Sequence, residues 1–287
     1  MLLLLCLGAS ANVMGQNGAD ELAIATQISD PHDLSLPSAI LSVPADEPPT
    51  ETFYAVVEHM KVLPGMEDDY LKAEQVWKKI HQGRKSRGEI MDWALFRCDY
   101  PGGTNAAYEY ATVTNYKSAK EMDAAWNWDA MTKGLTAAEI IIANDAEKTR
   151  NLIDRHLYSF LNGCDADCKP GKYVQLFGSK IKPGKGKDYE KFIKDGESFR
   201  AEAIKNGKIQ AWSIWRRLYP NGPEMDDFTA VYNYNSLEAM LKNSPFDLSD
   251  EFKKVNPTKN WDDFMKQFRE LRDPLGSEMW VQVDGTE

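Results

Sequence analysis

The string KVLPGMEDDYLK at 61–72 returns at 180–191 as KIKPGKGKDYEK, with Lys61, Pro64, Gly65, Asp69, Tyr70 and Lys72 matched by Lys180, Pro183, Gly184, Asp188, Tyr189 and Lys191. In both places a run rich in apolar residues stops at Pro-Gly and gives way to residues at helical spacing, which reads as strand, tight turn and helix. The same 119-residue offset pairs Gly88, Ile90, Trp93, Arg97, Tyr100, Pro101 and Gly103 with Gly207, Ile209, Trp212, Arg216, Tyr219, Pro220 and Gly222. Once one residue is dropped from the following loop, Val113, Asn115, Tyr116, Ser118 and Met122 fall on Val231, Asn233, Tyr234, Ser236 and Met240. Eighteen identities in one alignment with a single one-residue gap, several of them Trp, Pro or Gly, mark an internal repeat. A longer offset pairs Arg150, His156 and Leu157 with Arg272, Glu278 and Met279. The period is too long for a stacking solenoid element, so each copy is a domain-sized unit, 53–168 and 169–287.

Each copy reads as strand, helix, strand, strand, helices, strand. Residues 53–62 are rich in β-branched and aromatic side chains, and Tyr70, Ala73, Val76, Trp77 and Ile80 recur at helical spacing up to a polar stop at 85–88. A hairpin follows, 90–100 with 108–115, then helical segments from Ser118 and Thr136 and a closing strand near 157–161. The second copy repeats this with one helix through Tyr189, Phe192, Ile193, Phe199 and Ile204, a hairpin of 208–219 with 227–233, and a closing strand at 278–283. The order is βαββαβ-like, which predicts an α+β fold with an antiparallel sheet and helices on one face.

The strand ending in Pro-Gly, the long helix and the hairpin resemble the dimeric α/β-barrel superfamily of ferredoxin-like domains, over residues 53–287. The resemblance implies two ferredoxin-like units whose sheets face each other and close within one chain the barrel that single-copy members form by dimerising. It also implies a pocket between each sheet and its helices. The superfamily includes haem-degrading and cofactor-free monooxygenases, chlorite dismutase-like haem enzymes and polyketide cyclases, so fold by itself does not choose a function.

With 34 Lys+Arg against 44 Asp+Glu the chain carries a formal charge of -10, which repels a phosphate backbone and argues against nucleic acid as a partner. Residues 1–16 hold the apolar run 2–7 followed by small residues, the shape of a signal peptide that lacks its basic start, and too short to span a bilayer. Residues 17–52 read as a polar, Pro-containing leader. The expectation is an exported protein, periplasmic or secreted, without stable membrane insertion and monomeric because its pseudo-dimer is internal. Cys164 and Cys168 are close together in a polar connection of an exported chain, where a disulfide is expected rather than a metal site. Cys98, inside an apolar strand pattern, reads as a buried thiol.

Glu58 and His59 interrupt the apolar first strand, whereas their copies are Phe177 and Gly178. Either can serve as a general acid or base, but adjacent strand residues point to opposite faces, so one of them faces away from any given pocket. Trp93 with Arg97, and Trp212 with Arg216, are four apart on a strand and share a face. Such a face suits an organic acid or enolate, and equally suits core packing closed by an Arg–acid pair. Haem requires an axial ligand, and His59, His81 and His156 are the candidates in the folded region, none in an attachment motif. The expectation is therefore no cofactor and no metal. The sequence points to a small-molecule-binding protein that can be a cofactor-free enzyme acting on an organic acid or polyketide-like substrate, such as a cyclase, isomerase or monooxygenase-like protein. The alternatives are a non-catalytic structural or interaction module and, behind it, a haem-binding protein. Any function is expected in the first copy.

Overall fold

A computed structural model describes residues 53–124, 126–164 and 170–286. The signal-peptide and leader expectations at 1–16 and 17–52 lie outside the described residues, as does Cys168, so the Cys164–Cys168 bridge is not among the described contacts. No helix among the described residues is long and apolar enough to cross a membrane.

The first unit runs β1 (Tyr54–Val62), α1 (Glu67–Ser86), β2 (Asp92–Tyr100), β3 (Tyr110–Tyr116), α2 (Ala119–Met122), α3 (Trp128–Met131), α4 (Ala137–Asn144) and β4 (Arg150–Gly163). The second runs β5 (Tyr173–Ile181), α5 (Gly186–Asp195), α6 (Glu197–Lys205), β6 (Ala211–Tyr219), β7 (Phe228–Tyr234), α7 (Leu237–Lys242), α8 (Ser249–Val255), α9 (Trp261–Leu271) and β8 (Arg272–Gly285). The repeated Pro-Gly turns have a local cause. Gly65 and Gly184 sit at φ 77° and 76°, in the left-handed region where a side chain is strained, and so the chain can turn sharply from strand into helix.

The eight strands among the described residues form one closed barrel in the order β1-β3-β2-β8-β5-β7-β6-β4. Each unit supplies a four-stranded antiparallel sheet, and the seams are β2 with β8 and β4 with β6. Two ferredoxin-like units thus close a barrel inside one chain, as the sequence order implies. Closure removes every exposed strand edge, the main hazard of an antiparallel sheet.

Two elements differ from the sequence reading. The closing strands are longer than 157–161 and 278–283, because each pairs on both sides and completes a seam, β4 with β1 and β6, β8 with β5 and β2. Their charged first halves, Arg150 to Arg155 and Arg272 to Asp273, hide the strand pattern from a hydropathy reading. The single helix expected through Tyr189 and Ile204 is two, broken at Gly196, which ends α5 and starts α6.

Alternation along the strands separates two interiors. Ala55, Val57, Cys98, Ala111, Tyr158, Val174 and Trp280 face the inside of the barrel. Met60, Tyr70, Ile90, Trp93, Leu95 and Tyr110 pack between the first sheet and its helices. The second unit fills the same layer densely with Phe192, Phe199, Trp212 and Phe252, joined by Trp261 and Phe264.

Candidate functional site

The first unit leaves a cavity of about 450 Å³ between its sheet and helices. One stripe of α1 builds its helical wall: Glu74, Trp77, His81 and Arg84 recur at spacings of three and four, on the face that in an ordinary amphipathic helix would be apolar. Glu58, Trp93, Thr112 and Tyr116 rise from the sheet, Trp126 closes the side, and Arg150 and Arg155 enter from β4.

Electrostatics distinguish these groups. Glu74 is buried, and loss of water pushes its carboxyl up to about 7 against the pull of the Arg150 charge. His81 stacks on Trp93 with ring centroids 5.1 Å apart, and burial together with the neighbouring Arg84 cation pushes it down to about 3, so it is a neutral ring at ordinary pH. Arg84 lies 5.3 Å over the Trp126 ring, its Nη1 3.3 Å from His81 Nδ1. Two donors in the cavity wall, Arg150 Nε and Trp77 Nε1, are buried and have no hydrogen-bond partner among the described residues.

Equivalent positions in the second unit close the space. Glu58, Glu74 and Arg84 correspond to Phe177, Ile193 and Ala203, and Trp77 corresponds to Gly196. The Arg200 side chain occupies the space beside Gly196 and lies 4.8 Å over the Trp212 ring.

A second cavity, of about 610 Å³, lies inside the barrel. His59 stacks on Tyr108 at 3.9 Å and 15°, and its Nδ1 is 2.5 Å from Asp154 Oδ1. Asp154 is pushed up by burial, but the His59 hydrogen bond and the electrostatic influence of His59, His156 and Arg217 outweigh this and hold it below its usual value. His156 is lowered to about 4 by burial and by Arg217. Arg217 in turn pairs with Asp226, which also accepts a hydrogen bond from Thr229.

Comparison with known proteins bears on the fold. No protein-family profile and no curated protein sequence matches the chain. Among solved structures it is similar to a "putative monooxygenase" from Lactobacillus acidophilus NCFM, at 8% identity and a TM-score of 0.50, covering 82% of this chain and 96% of that one. A second "putative monooxygenase", from Fusobacterium nucleatum, aligns at 10% identity and a TM-score of 0.49 over 82% and 94% of the two chains. An "anthrone oxidase-like protein" aligns at 10% identity and a TM-score of 0.48 over 82% and 93%. The fold is that of a dimeric α/β barrel. Here the barrel is closed by one chain, and at these identities the likeness concerns architecture alone.

The barrel separates the sequence-derived candidates. Glu58 and His59 face opposite sides, Glu58 into the sheet–helix cavity, where Arg155 Nε is 2.7 Å from its Oε1, and His59 into the barrel interior. Trp93 is a wall of the first cavity, whereas Arg97 is half exposed, pairs with Asp99 at 2.6 Å and does not line that cavity. Trp212 belongs to the filled core of the second unit, and Arg216 pairs with Glu190 at the surface while lying 5.3 Å over Phe228. Cys164 ends β4. Sequence reading missed Glu74, Trp77, Arg84 and Arg150, although polar residues repeating on the core-facing stripe of α1 were a legible signal. It missed Asp154 because the pairing of β4 with β1 is not written in either strand alone.

The three candidate histidines are separated, His81 in the sheet–helix cavity and His59 and His156 in the barrel cavity. His81 is held between Trp93 and Arg84, and His59 and His156 are packed against Tyr108 and Tyr158 in the barrel.

Proposed function

We propose that this protein binds a flat organic anion, a carboxylic acid or phenolic polyketide-like compound, in the sheet–helix cavity of the first unit, and that Glu74 exchanges a proton with it without a cofactor. The observation that carries this reading is the pair of unmet buried donors, Trp77 Nε1 on α1 and Arg150 Nε on β4, on two residues that line the cavity. A buried donor without an acceptor costs about 1–3 kcal/mol, and a carboxylate or phenolate oxygen in the cavity supplies what is missing. Trp77, Trp93 and Trp126 offer aromatic faces to a ring, and Arg84 and Arg150 offer fixed positive charge to its oxygens.

Glu74 supplies the chemistry. A carboxyl near 7 accepts a proton at neutral pH and returns it, which is what abstraction from a phenol or from carbon beside a carbonyl requires. The oxyanion formed on the ligand is then held by the arginines. The apolar run at 2–7 supports export, and with both units in one chain a monomer is sufficient to build the site.

Native mass spectrometry of the purified protein is expected to show a retained ligand of this class. Hydroxylated aromatic carboxylates are expected to quench the cavity tryptophans saturably, and Glu74→Gln to keep binding while losing turnover. Absence of both a retained ligand and saturable quenching rejects the reading.

A further inference from the structure

The barrel interior contains a second constellation that the sheet–helix cavity does not use. β1 and β4 run antiparallel, with Val57 opposite His156 and His59 opposite Asp154. Two-residue alternation turns His59, Asp154 and His156 toward the same interior, so three donors from two strands converge. One ligand-type atom from each lies within 4.8 Å of the other two. His59 Nδ1 is 2.5 Å, and His156 Nε2 3.4 Å, from the same Asp154 Oδ1.

We propose that His59, Asp154 and His156 form a divalent transition-metal site of two imidazoles and one carboxylate, open to the barrel cavity. Donors held about 2.0–2.2 Å from a tetrahedral ion stand roughly 3.4 Å apart, so the Asp154–His156 separation already fits and the His59–Asp154 contact widens by about 1 Å as the ion replaces the shared proton. The donor set of two imidazoles and one carboxylate suits borderline first-row ions such as zinc, cobalt or iron(II) and leaves coordination positions for water or a small ligand. Those positions face a space walled by Phe96, Trp215 and Val231.

Aromatic packing fixes the two ligand rings. Tyr108 stacks on the His59 ring, and its hydroxyl is held by Glu278, which also accepts Trp280 Nε1 at 2.7 Å. His156 stands edge-on to His59 at 4.9 Å and 86°. His156 Nδ1 is buried with no hydrogen-bond partner among the described residues, so packing against His59 and Tyr158, and not an acceptor at Nδ1, holds this ring. The fold does not need these side chains. At the equivalent positions of the second unit stand Gly178, Gly276 and Glu278, and the same strands form there.

The test is titration of the full chain with cobalt(II), followed by visible absorption, with zinc as competitor and thermal melting as a second readout. Saturable d–d bands, displaced by zinc, and a melting temperature raised by the metal are expected in the wild type. His59→Gln, His156→Gln and the near-isosteric Asp154→Asn are each expected to weaken uptake by at least about tenfold, the loss typical even of outer-shell partners. Circular dichroism establishes that each variant is folded, and if a histidine variant fails to fold, Asp154→Asn decides. Absence of a cobalt spectrum in the wild type, or the same spectrum and affinity in folded Asp154→Asn, overturns the proposal.

Discussion

Trp77 on α1 and Gly196 between α5 and α6 occupy equivalent positions in the two units, and this exchange accompanies an open cavity in one and a filled layer in the other. In the first unit the indole leaves His81 to stack on Trp93. In the second, the absent side chain lets Arg200, the counterpart of His81, cover Trp212 and Phe199. Two copies of one fold therefore carry different interiors, one with an open cavity and one with a filled layer.

Gly196→Ala is expected to destabilise the protein by about 1–3 kcal/mol, the usual cost of overpacking. A Cβ at this position meets Arg200 Nη1 at 2.5 Å and Phe199 Cε1 at 3.1 Å. Arg200 is buried and Phe199 is a core ring, so neither yields freely. Gly186→Ala, where a Cβ meets nothing within 4 Å, is the comparison. Urea denaturation measures both. Equal midpoints for the two variants contradict the role assigned to Gly196.

Arg150→Met is expected to weaken binding of an aromatic carboxylate by about 10- to 100-fold, the equivalent of losing a charge-assisted hydrogen bond worth roughly 1.5–3 kcal/mol. Arg97→Ala is expected to leave binding unchanged, because that guanidinium is turned to solvent and paired with Asp99. Isothermal titration with one ligand across both variants separates these outcomes, and a loss at Arg97 with none at Arg150 reverses the placement.

The fold was largely legible because its punctuation is chemical. Pro64-Gly65 and Pro183-Gly184 force turns at matched places, and Trp93 and Trp212 fix the register of the second strand in each unit. The site was legible only in part. Trp93 could be placed on a pocket wall, and strand alternation put Glu58 and His59 on opposite faces without choosing between them, whereas Arg97 shares a face with Trp93 yet does not line the cavity and pairs with Asp99 toward solvent. Asp154 and His59 meet only through long-range pairing of β1 and β4, ninety-five residues apart, and no local pattern encodes that contact.

Cys98 is expected to resist alkylation in the native state. Burial in the barrel, reinforced by the negative charges of Glu278 and Asp99, pushes its thiol up to about 12, which leaves very little reactive thiolate near neutral pH. Mass-resolved labelling with iodoacetamide is expected to find Cys98 unmodified in folded protein and modified once denatured. Rapid native labelling of Cys98 contradicts this account.

Glu74 gives a stability signature with a definite sign. Its carboxyl sits at about 7 in the folded protein against 4.5 for an unperturbed group, so between those values the folded chain holds a proton that the unfolded chain has released. Its contribution to stability is therefore present below 4.5 and is lost as pH rises through 7, a loss of roughly 3 kcal/mol at one pKa unit per 1.4 kcal/mol. His81 and His156 act in the opposite direction. They are depressed from 6.5 to about 3 and about 4, so their contribution is present above 6.5 and is lost as pH falls toward those values. The wild-type profile sums opposing slopes, and the difference between wild type and Glu74→Gln isolates the carboxyl. Relative to wild type, Glu74→Gln is expected to gain stability as pH rises, by up to about 3 kcal/mol between acid and mildly alkaline buffer. Denaturant midpoints across this range measure it, and parallel curves for the two proteins exclude a buried, proton-holding Glu74.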